Sequence, residues 1–230
     1  MRLRLPLHPL LVVGLALAPG AAVGAQAAPS APPTAVPAPP RHVLFWPTDP
    51  YWRGRAPDSA LVDVVTSRGT ITIQLRRAWA PAGVDRAYLL ARAGYFDDSR
   101  VHRVVPGFVA QFGIAGDPAV ASVWARADLP PDVRRASNVR GTVTFAQRTP
   151  NDRTTNLFIN LGDNARLDAL GFVPVGRVVR GMAVADRLYG GYGERPMAGE
   201  NTRRVYAEGN AFFDRRFPKL DRIRAARVRR

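Results

Sequence analysis

Apolar and polar residues alternate along much of the chain from residue 58 onward, which is the pattern of half-buried β-strands. Residues 60–81, "ALVDVVTSRGTITIQLRRAWAP", alternate on both sides of a Ser-Arg-Gly sequence and are predicted to form a β-hairpin. The stretches "GTVTFAQ", "NLFINLG" and "FVPVGRVV" are predicted to be further strands. "VHRVVPGFVAQFG" (101–113) is broken by Pro106 and Gly107, so it is predicted to form two short adjoining strands.

Two segments have helical spacing instead. Val84, Ala87, Tyr88 and Ala91 would share one face of a helix, and a proline before them and a glycine after them suit its two ends. "GMAVADRLYGG" (181–191) is predicted to be a second short helix that a glycine terminates. Many strands with only two short helices favour an all-β barrel over an alternating α/β sheet.

The C-terminal region admits two interpretations. "DRIRAARVRR" (221–230) has the composition of a basic tail, but its apolar residues are nearly alternating, and a barrel needs a closing strand. We therefore predict a last strand there. The preceding residues, 190–220, are longer than an ordinary connection. They are predicted to be an insertion that packs on the barrel through Tyr206, Phe212, Phe213 and Phe217.

The N-terminal region has the three parts of a secretory signal. Two arginines precede an apolar run at 10–18, and small residues then offer cleavage after Ala25 or Ala27. An uncleaved anchor is the weaker interpretation, because the run has about half of the roughly 20 residues that cross a bilayer. We predict a signal peptide over 1–27, and a proline-rich linker with a surface-docking segment over 28–57. The expected location is the periplasm or the exterior, with no stable membrane insertion after cleavage.

The composition excludes several kinds of site. The chain has no cysteine, which removes disulfides, thiol nucleophiles and Cys-based zinc sites. Its three histidines, His8, His42 and His102, are far apart in sequence, so no metal site and no cofactor are predicted. The net charge of +15 suggests nucleic-acid binding. However, the excess is spread over the whole chain and accompanies no recognition motif, so no nucleic-acid partner is predicted.

Residues 101–113 carry the candidate chemistry. Strand interiors seldom accept residues such as His102 and Arg103 unless the charge has a partner or a task. Gln111 is a lone polar residue in the apolar stretch that follows.

The order of these segments resembles the cyclophilin-type peptidyl-prolyl cis-trans isomerases over residues 60–188. "HRVVPGFVAQFG" is similar to the family motif in which His-Arg is followed by Pro-Gly-Phe, a hydrophobic residue and Gln. "GTVTFAQRTPNDRTTNLFINLGDNARLD" and "VGRVVRGMAVADRL" are similar to the second and third motifs. The resemblance implies a closed eight-stranded antiparallel barrel capped by two short helices, over a domain of 58–230, with the active groove on its outer face.

Isomerisation of an X-Pro bond requires few catalytic groups. The barrier of about 20 kcal/mol arises from amide resonance, and no covalent bond is made, so neither a nucleophile nor a metal is required. The site needs a donor for the pyramidal prolyl nitrogen and an apolar slot for the ring. Arg103 is the predicted donor, because its guanidinium is planar and always charged. Gln111 is predicted to hydrogen-bond the substrate backbone.

The resemblance implies the remaining site residues. The proline pocket is predicted to be formed by Phe108, Val109, Phe158, Leu167 and Phe172, and further substrate contacts by Ala146, Gln147 and Asn156. Proline-containing polypeptides are the implied substrates, and we expect a monomer. Several positions depart from the family pattern: Asn156 replaces a glutamine, Gln147-Arg148 an Asn-Ala pair, Arg166 a tryptophan and Phe172 a histidine.

Alternatives remain at each of these positions. Arg103 could pair with a surface carboxylate, Gln111 could face solvent, and any one of the five pocket residues could be plain core. His102 is assigned to structure, and Asp163 and Asp168 to turns. A second functional class, a cyclophilin-like peptide-binding module or chaperone with little or no catalysis, stays open because of the substitutions beside the pocket.

Overall fold

The computed structural model describes residues 39–149 and 151–229, so the predicted signal peptide and most of the proline-rich linker lie outside the described residues. Nine antiparallel strands form one curled sheet with the order β3-β9-β1-β2-β8-β6-β7-β5-β4. The strands are β1 Ser59–Thr66, β2 Gly69–Arg76, β3 Ser99–Arg100, β4 Arg103–Val105, β5 Val109–Phe112, β6 Thr142–Phe145, β7 Leu157–Asn160, β8 Pro174–Arg180 and β9 Arg222–Val228.

The prediction of a closed eight-stranded barrel is wrong in its details. The sheet has nine strands and forms a half-barrel, and within the described residues its edge strands β3 and β4 do not pair with each other. They are consecutive in the chain and separated only by Val101 and His102. The amide of Val101 donates to Asp221 O at 2.9 Å, next to β9, and that of His102 to Gln111 O on β5 at 3.0 Å. The chain itself thus joins the two edges, and Arg103 lies on an edge strand.

The prediction of only two helices is also wrong. The first and third helices occupy the predicted places. The second helix was not predicted, although the sequence carries a capping signal for it. Asp117 accepts a hydrogen bond from the amide of Ala119 at 2.8 Å, and a proline follows Asp117. None of the helices in the described part of the chain is long and apolar enough to cross a membrane. The helices are α1 Pro81–Arg92, α2 Pro118–Trp124, α3 Met182–Asp186, α4 Glu200–Glu208 and α5 Asn210–Arg216.

The main core lies inside the curl of the sheet. Alternate residues of the strands point inward, as the period of two requires, and they pack against α1. Residues 222–228 form β9 rather than a tail, and β9 contributes Ile223 and Ala226, both fully buried. The inward-facing strand residues include Val62, Val64, Ile71, Ile73, Leu75, Val143, Phe145 and Ile159.

A buried ion pair holds the start of α1. The residue before this helix makes no side-chain cap, and Asp132 from a distant loop accepts instead from the amides of Ala82 and Gly83, both at 2.9 Å. Arg153 Nη1 donates to the same carboxylate at 3.2 Å, and the two side chains are only 2% and 4% exposed. Because both charges are out of water, each depends on the other.

The segment before the sheet lies across α2. Leu44 is buried, and its carbonyl accepts from Trp124 Nε1 at 2.7 Å. The ring of Trp52 packs edge-to-face on Trp124, with ring centroids 4.6 Å apart. This segment therefore packs against the domain surface, while Trp46 remains 64% exposed.

His102 is fully buried at the bend between β3 and β4. Its ring stacks on Phe213 of α5, with centroids 6.1 Å apart and planes 7° from parallel. Neither ring nitrogen makes a hydrogen bond of good geometry to the described residues. Burial lowers the pKa of His102 to about 3, and the backbone of Arg100 offsets only part of this shift. The ring is thus a neutral packing element.

Burial of His102 predicts a loss of stability on acidification. Between about pH 6.5 and pH 3 the unfolded chain binds a proton that the folded chain excludes, so the free energy of unfolding falls as pH falls and is unaffected above pH 6.5. For this group alone we expect a loss of about 2 kcal/mol between pH 7 and pH 5. Urea unfolding of the wild type and His102→Leu at both pH values measures it. An equal loss in the variant would contradict the assignment.

Candidate active site

A tight hairpin turn positions the first group of site residues. Pro106 and Gly107 occupy the turn between β4 and β5, and the amide of Phe108 donates to Val105 O at 2.9 Å. Gly107 has φ of 72°, a conformation that glycine adopts without strain and that a type II turn requires after proline. The turn sets the register in which Arg103 lies opposite Gln111.

Strand alternation then separates the site from the core. On β5, Ala110 and Phe112 belong to the inner core, whereas Val109 and Gln111 point to the other face of the sheet. On β7, Phe158 likewise points outward, between buried neighbours that face inward. The outer face therefore carries an apolar cluster of its own, in which Val109, Phe158 and Leu167 are buried and Phe108, Ala146 and Phe172 are partly buried.

Loop residues complete this cluster. Leu167 ends a short 3-10 helix, Ala165–Leu167, and Phe172 follows it. The rings of Phe158 and Phe172 pack edge-to-face with centroids 5.8 Å apart. The result is an apolar depression with aromatic walls, of the kind that accepts a small ring.

Arg103 lies at one side of the depression with its guanidinium held at two nitrogens. Nη1 donates to Gln111 Oε1 at 3.3 Å, and Nη2 to Glu194 Oε1 at 2.5 Å. The guanidinium carbon lies 5.4 Å from the ring centroid of Phe108, and that of Arg166 lies 4.6 Å from the same ring. Because Gln111 accepts through its oxygen, its NH₂ group is available to a ligand.

All ten residues predicted for the site line one groove, whose volume is about 1290 Å³. They are Arg103, Phe108, Val109, Gln111, Ala146, Gln147, Asn156, Phe158, Leu167 and Phe172. The other wall of the groove, which is formed by α2 and by the insertion, does not follow from the sequence patterns. The only sequence signals for it were the cap of α2 and the unusual length of residues 190–220. Residues of that wall include Ser122, Val123, Arg126, Met197, Thr202, Arg203 and Tyr206.

Two of the predicted contacts have additional partners. The side-chain Nε2 of Gln147 donates to Leu170 O at 3.0 Å, so this side chain holds the loop that carries Phe172. Asn156 Nδ2 donates to the hydroxyl of Tyr206 at 3.3 Å, while its Oδ1 is buried without a hydrogen-bond partner among the described residues. Because this oxygen has almost no solvent-accessible surface, a peptide N–H could reach it only after the side chain moves.

The two aspartates assigned to turns do not form a catalytic pair. Asp163 accepts from the amide of Arg140 at 2.9 Å. Asp168 accepts from Ser137 and from both the amide and the side chain of Asn138. Burial raises the pKa of Asp168, but these hydrogen bonds outweigh it and hold the pKa below its usual value. No cluster of metal-binding side chains occurs in the described residues.

Comparisons with known proteins agree on one family. Residues 61–205 match the family model described as cyclophilin type peptidyl-prolyl cis-trans isomerase/CLD. Peptidyl-prolyl cis-trans isomerase A of Dickeya dadantii is 34% identical over 142 residues, which span 58% of this chain and 73% of that protein. Peptidyl-prolyl cis-trans isomerase ppi1 of Schizosaccharomyces pombe is 32% identical over 137 residues, which span 56% of this chain and 84% of that protein.

A solved structure shares the fold. It is a cyclophilin type peptidyl-prolyl cis-trans isomerase of Cryptosporidium parvum, determined in the presence of the dipeptide Ala-Pro. The two structures align with a TM-score of 0.52 at 15% identity, over 74% of this chain and 99% of the other. The matched residues contain the β4–β5 hairpin and the apolar cluster, and the chain belongs to the cyclophilin-type peptidyl-prolyl cis-trans isomerase family.

Proposed function

We propose that this protein isomerises X-Pro peptide bonds in the groove described above. The observation that carries the proposal is the position of a guanidinium and a free amide donor beside an apolar cluster that is separate from the main core. The proline ring would occupy the cluster formed around Phe158, and the rest of the amide would lie under Arg103. The relatives named above carry the activity in their names.

The mechanism proposed for Arg103 is electrostatic. As the C–N bond twists, resonance is lost and the prolyl nitrogen becomes pyramidal with a lone pair. A guanidinium N–H aimed at that nitrogen is a stronger partner in the twisted state than in either planar state, and only such a difference accelerates the reaction. Arg103 is only 22% exposed, so water competes weakly for its donors.

The other residues would hold the peptide while one part of it rotates. The NH₂ group of Gln111 can donate to a substrate carbonyl. The ring remains fixed among Val109, Phe158 and Phe172, so rotation is confined to the remaining chain. Positioning of this kind lowers the entropy that the reaction must lose.

An assay of the cis–trans isomerisation of a short X-Pro peptide, with the chain from residue 28 onward as catalyst, tests the proposal. The cis-to-trans rate is measured with and without protein, and the same peptide is titrated for binding. Acceleration supports the isomerase. Binding without acceleration would instead support the second class, a peptide-binding module or chaperone.

We also propose that the protein is exported and acts on folding proteins outside the cytoplasm. The support is the sequence of residues 1–27, with its basic start, short apolar run and small residues. The mature chain is expected to begin at Gln26 or Ala28. N-terminal sequencing of the protein recovered from the periplasm or medium measures this, and a chain that retains Met1 in a membrane fraction would contradict it.

A further inference from the structure

The insertion supplies the second anchor of Arg103. β4 is an edge strand, so a neighbouring strand, β5, lies on only one side of it. The 3-10 helix Arg195–Met197 of the insertion packs against β4. Glu194, directly before this helix, contacts the guanidinium at Nη2 while Gln111 contacts it at Nη1.

The segment that carries Glu194 is itself fixed. Pro196 is buried, and the ring of Tyr192 packs edge-to-face on Phe217 with centroids 5.1 Å apart. Asn201 Nδ2 donates to the carbonyl of Arg195 at 2.8 Å. The carboxylate thus extends from an ordered part of the domain, although it is itself 67% exposed.

We propose that Glu194 is a positioning residue for the isomerase reaction, and that it fixes the Arg103 guanidinium over the groove before substrate binds. This inference rests on the proposed function. The contact to Gln111 involves a neutral acceptor, whereas the contact to Glu194 is charge-assisted, so the carboxylate is the stronger anchor.

Anchoring leaves the donor usable. A guanidinium has five N–H groups, and the two contacts use two of them, so three remain for a substrate. An arginine side chain has many rotamers, and ordering it during the reaction would add to the barrier. Fixing the side chain in the folded protein removes that contribution, which is the advantage of a preorganised donor.

The first test compares Glu194→Ala, Glu194→Gln and the wild type with one X-Pro peptide, by NMR exchange spectroscopy over a range of peptide concentrations. Glu194→Ala is expected to lower kcat about five- to tenfold and to change KM less than about twofold, because the lost anchoring acts in the transition state. Glu194→Gln keeps an acceptor oxygen at the same position but loses the charge, so it is expected to restore only part of kcat.

The matched control is Glu200→Ala, which removes another exposed carboxylate of the same insertion, one that pairs with the exposed Arg203 at 3.4 Å. It is expected to leave kcat unchanged. In an Arg103→Ala background, Glu194→Ala is expected to have no further effect. A faster Glu194→Ala enzyme would show that the carboxylate competes with substrate for the donor, and unchanged kinetics would show that it does nothing. Either result would overturn the proposal.

A second readout does not depend on activity. The ¹⁵N relaxation of Arg103 Nε reports the order of the side chain, and it is expected to show greater mobility in Glu194→Ala than in the wild type or Glu200→Ala. An inactive wild type would refute the proposed function, and the relaxation would still decide whether Glu194 fixes Arg103. Equal mobility in all three proteins would refute the anchoring.

Discussion

Replacement of Arg103 by alanine is expected to lower kcat/KM for an X-Pro peptide about a hundredfold, or about 3 kcal/mol in the activation free energy. In the proposed mechanism the guanidinium donates to the prolyl nitrogen as that nitrogen becomes pyramidal. Peptide affinity is expected to fall much less, because the apolar cluster around Phe158 remains. Isomerisation rates and peptide titrations of the same preparations measure the two quantities separately.

Two further variants make this test specific. Arg103→Lys is expected to recover little activity, because a point charge on a flexible stem cannot contact Gln111 and Glu194 with the geometry of a planar fork. Arg177→Ala removes the same charge from an exposed position on β8 that does not line the groove, and it is expected to behave as wild type. Circular dichroism confirms folding. Equal rates in all four proteins would exclude Arg103 from the mechanism and favour the binding-module interpretation.

Replacement of Asp132 by alanine is expected to destabilise the fold by about 3–5 kcal/mol. The substitution leaves Arg153 as a buried cation without its carboxylate, and it frees two amides at the start of α1. Both effects act in the same direction. The free energy of unfolding in urea at pH 7 measures the loss.

The comparison variants separate charge from capping. Asp132→Asn keeps an acceptor for the helix but removes the charge, so it is expected to lose a large part of the same stability. Asp128→Ala removes an exposed carboxylate from the same loop and is expected to change stability by less than about 0.5 kcal/mol. A loss below about 1 kcal/mol in Asp132→Ala would show that the buried pair contributes little.

Local patterns accounted for most of the strands and for one wall of the site. Val109 and Gln111 are two residues apart, so alternation assigns them to the same face of β5. The Pro106-Gly107 turn brings that strand back beside Arg103. One stretch of sequence therefore specifies the central part of the groove. The ten residues predicted for the site line one groove, although their roles stay predictions. The resemblance to a known family related the later segments to the same site.

Contacts between segments that are distant in the chain could not be predicted from local sequence patterns. Glu194 is 91 residues from Arg103, and its role could not be seen until the sheet order placed β4 at an edge with the insertion against it. Asp132 reaches the start of α1 from 50 residues away and replaces a local cap that the sequence lacks. The number of strands, and the fact that the edge strands β3 and β4 do not pair among the described residues, depend on which strand edges meet. Hydrophobic alternation carries no information on the meeting of strand edges.

The sequence by itself determined the antiparallel strand pattern, the turn at Pro106 and Gly107, and the residue types on one wall of the groove, because strand period and turn conformation are set by near neighbours. The tertiary structure alone decided which charges meet. A carboxylate finds its cation through the packing of whole elements, as Glu194 does with Arg103 and Asp132 with Arg153, and that packing is a property of the complete fold.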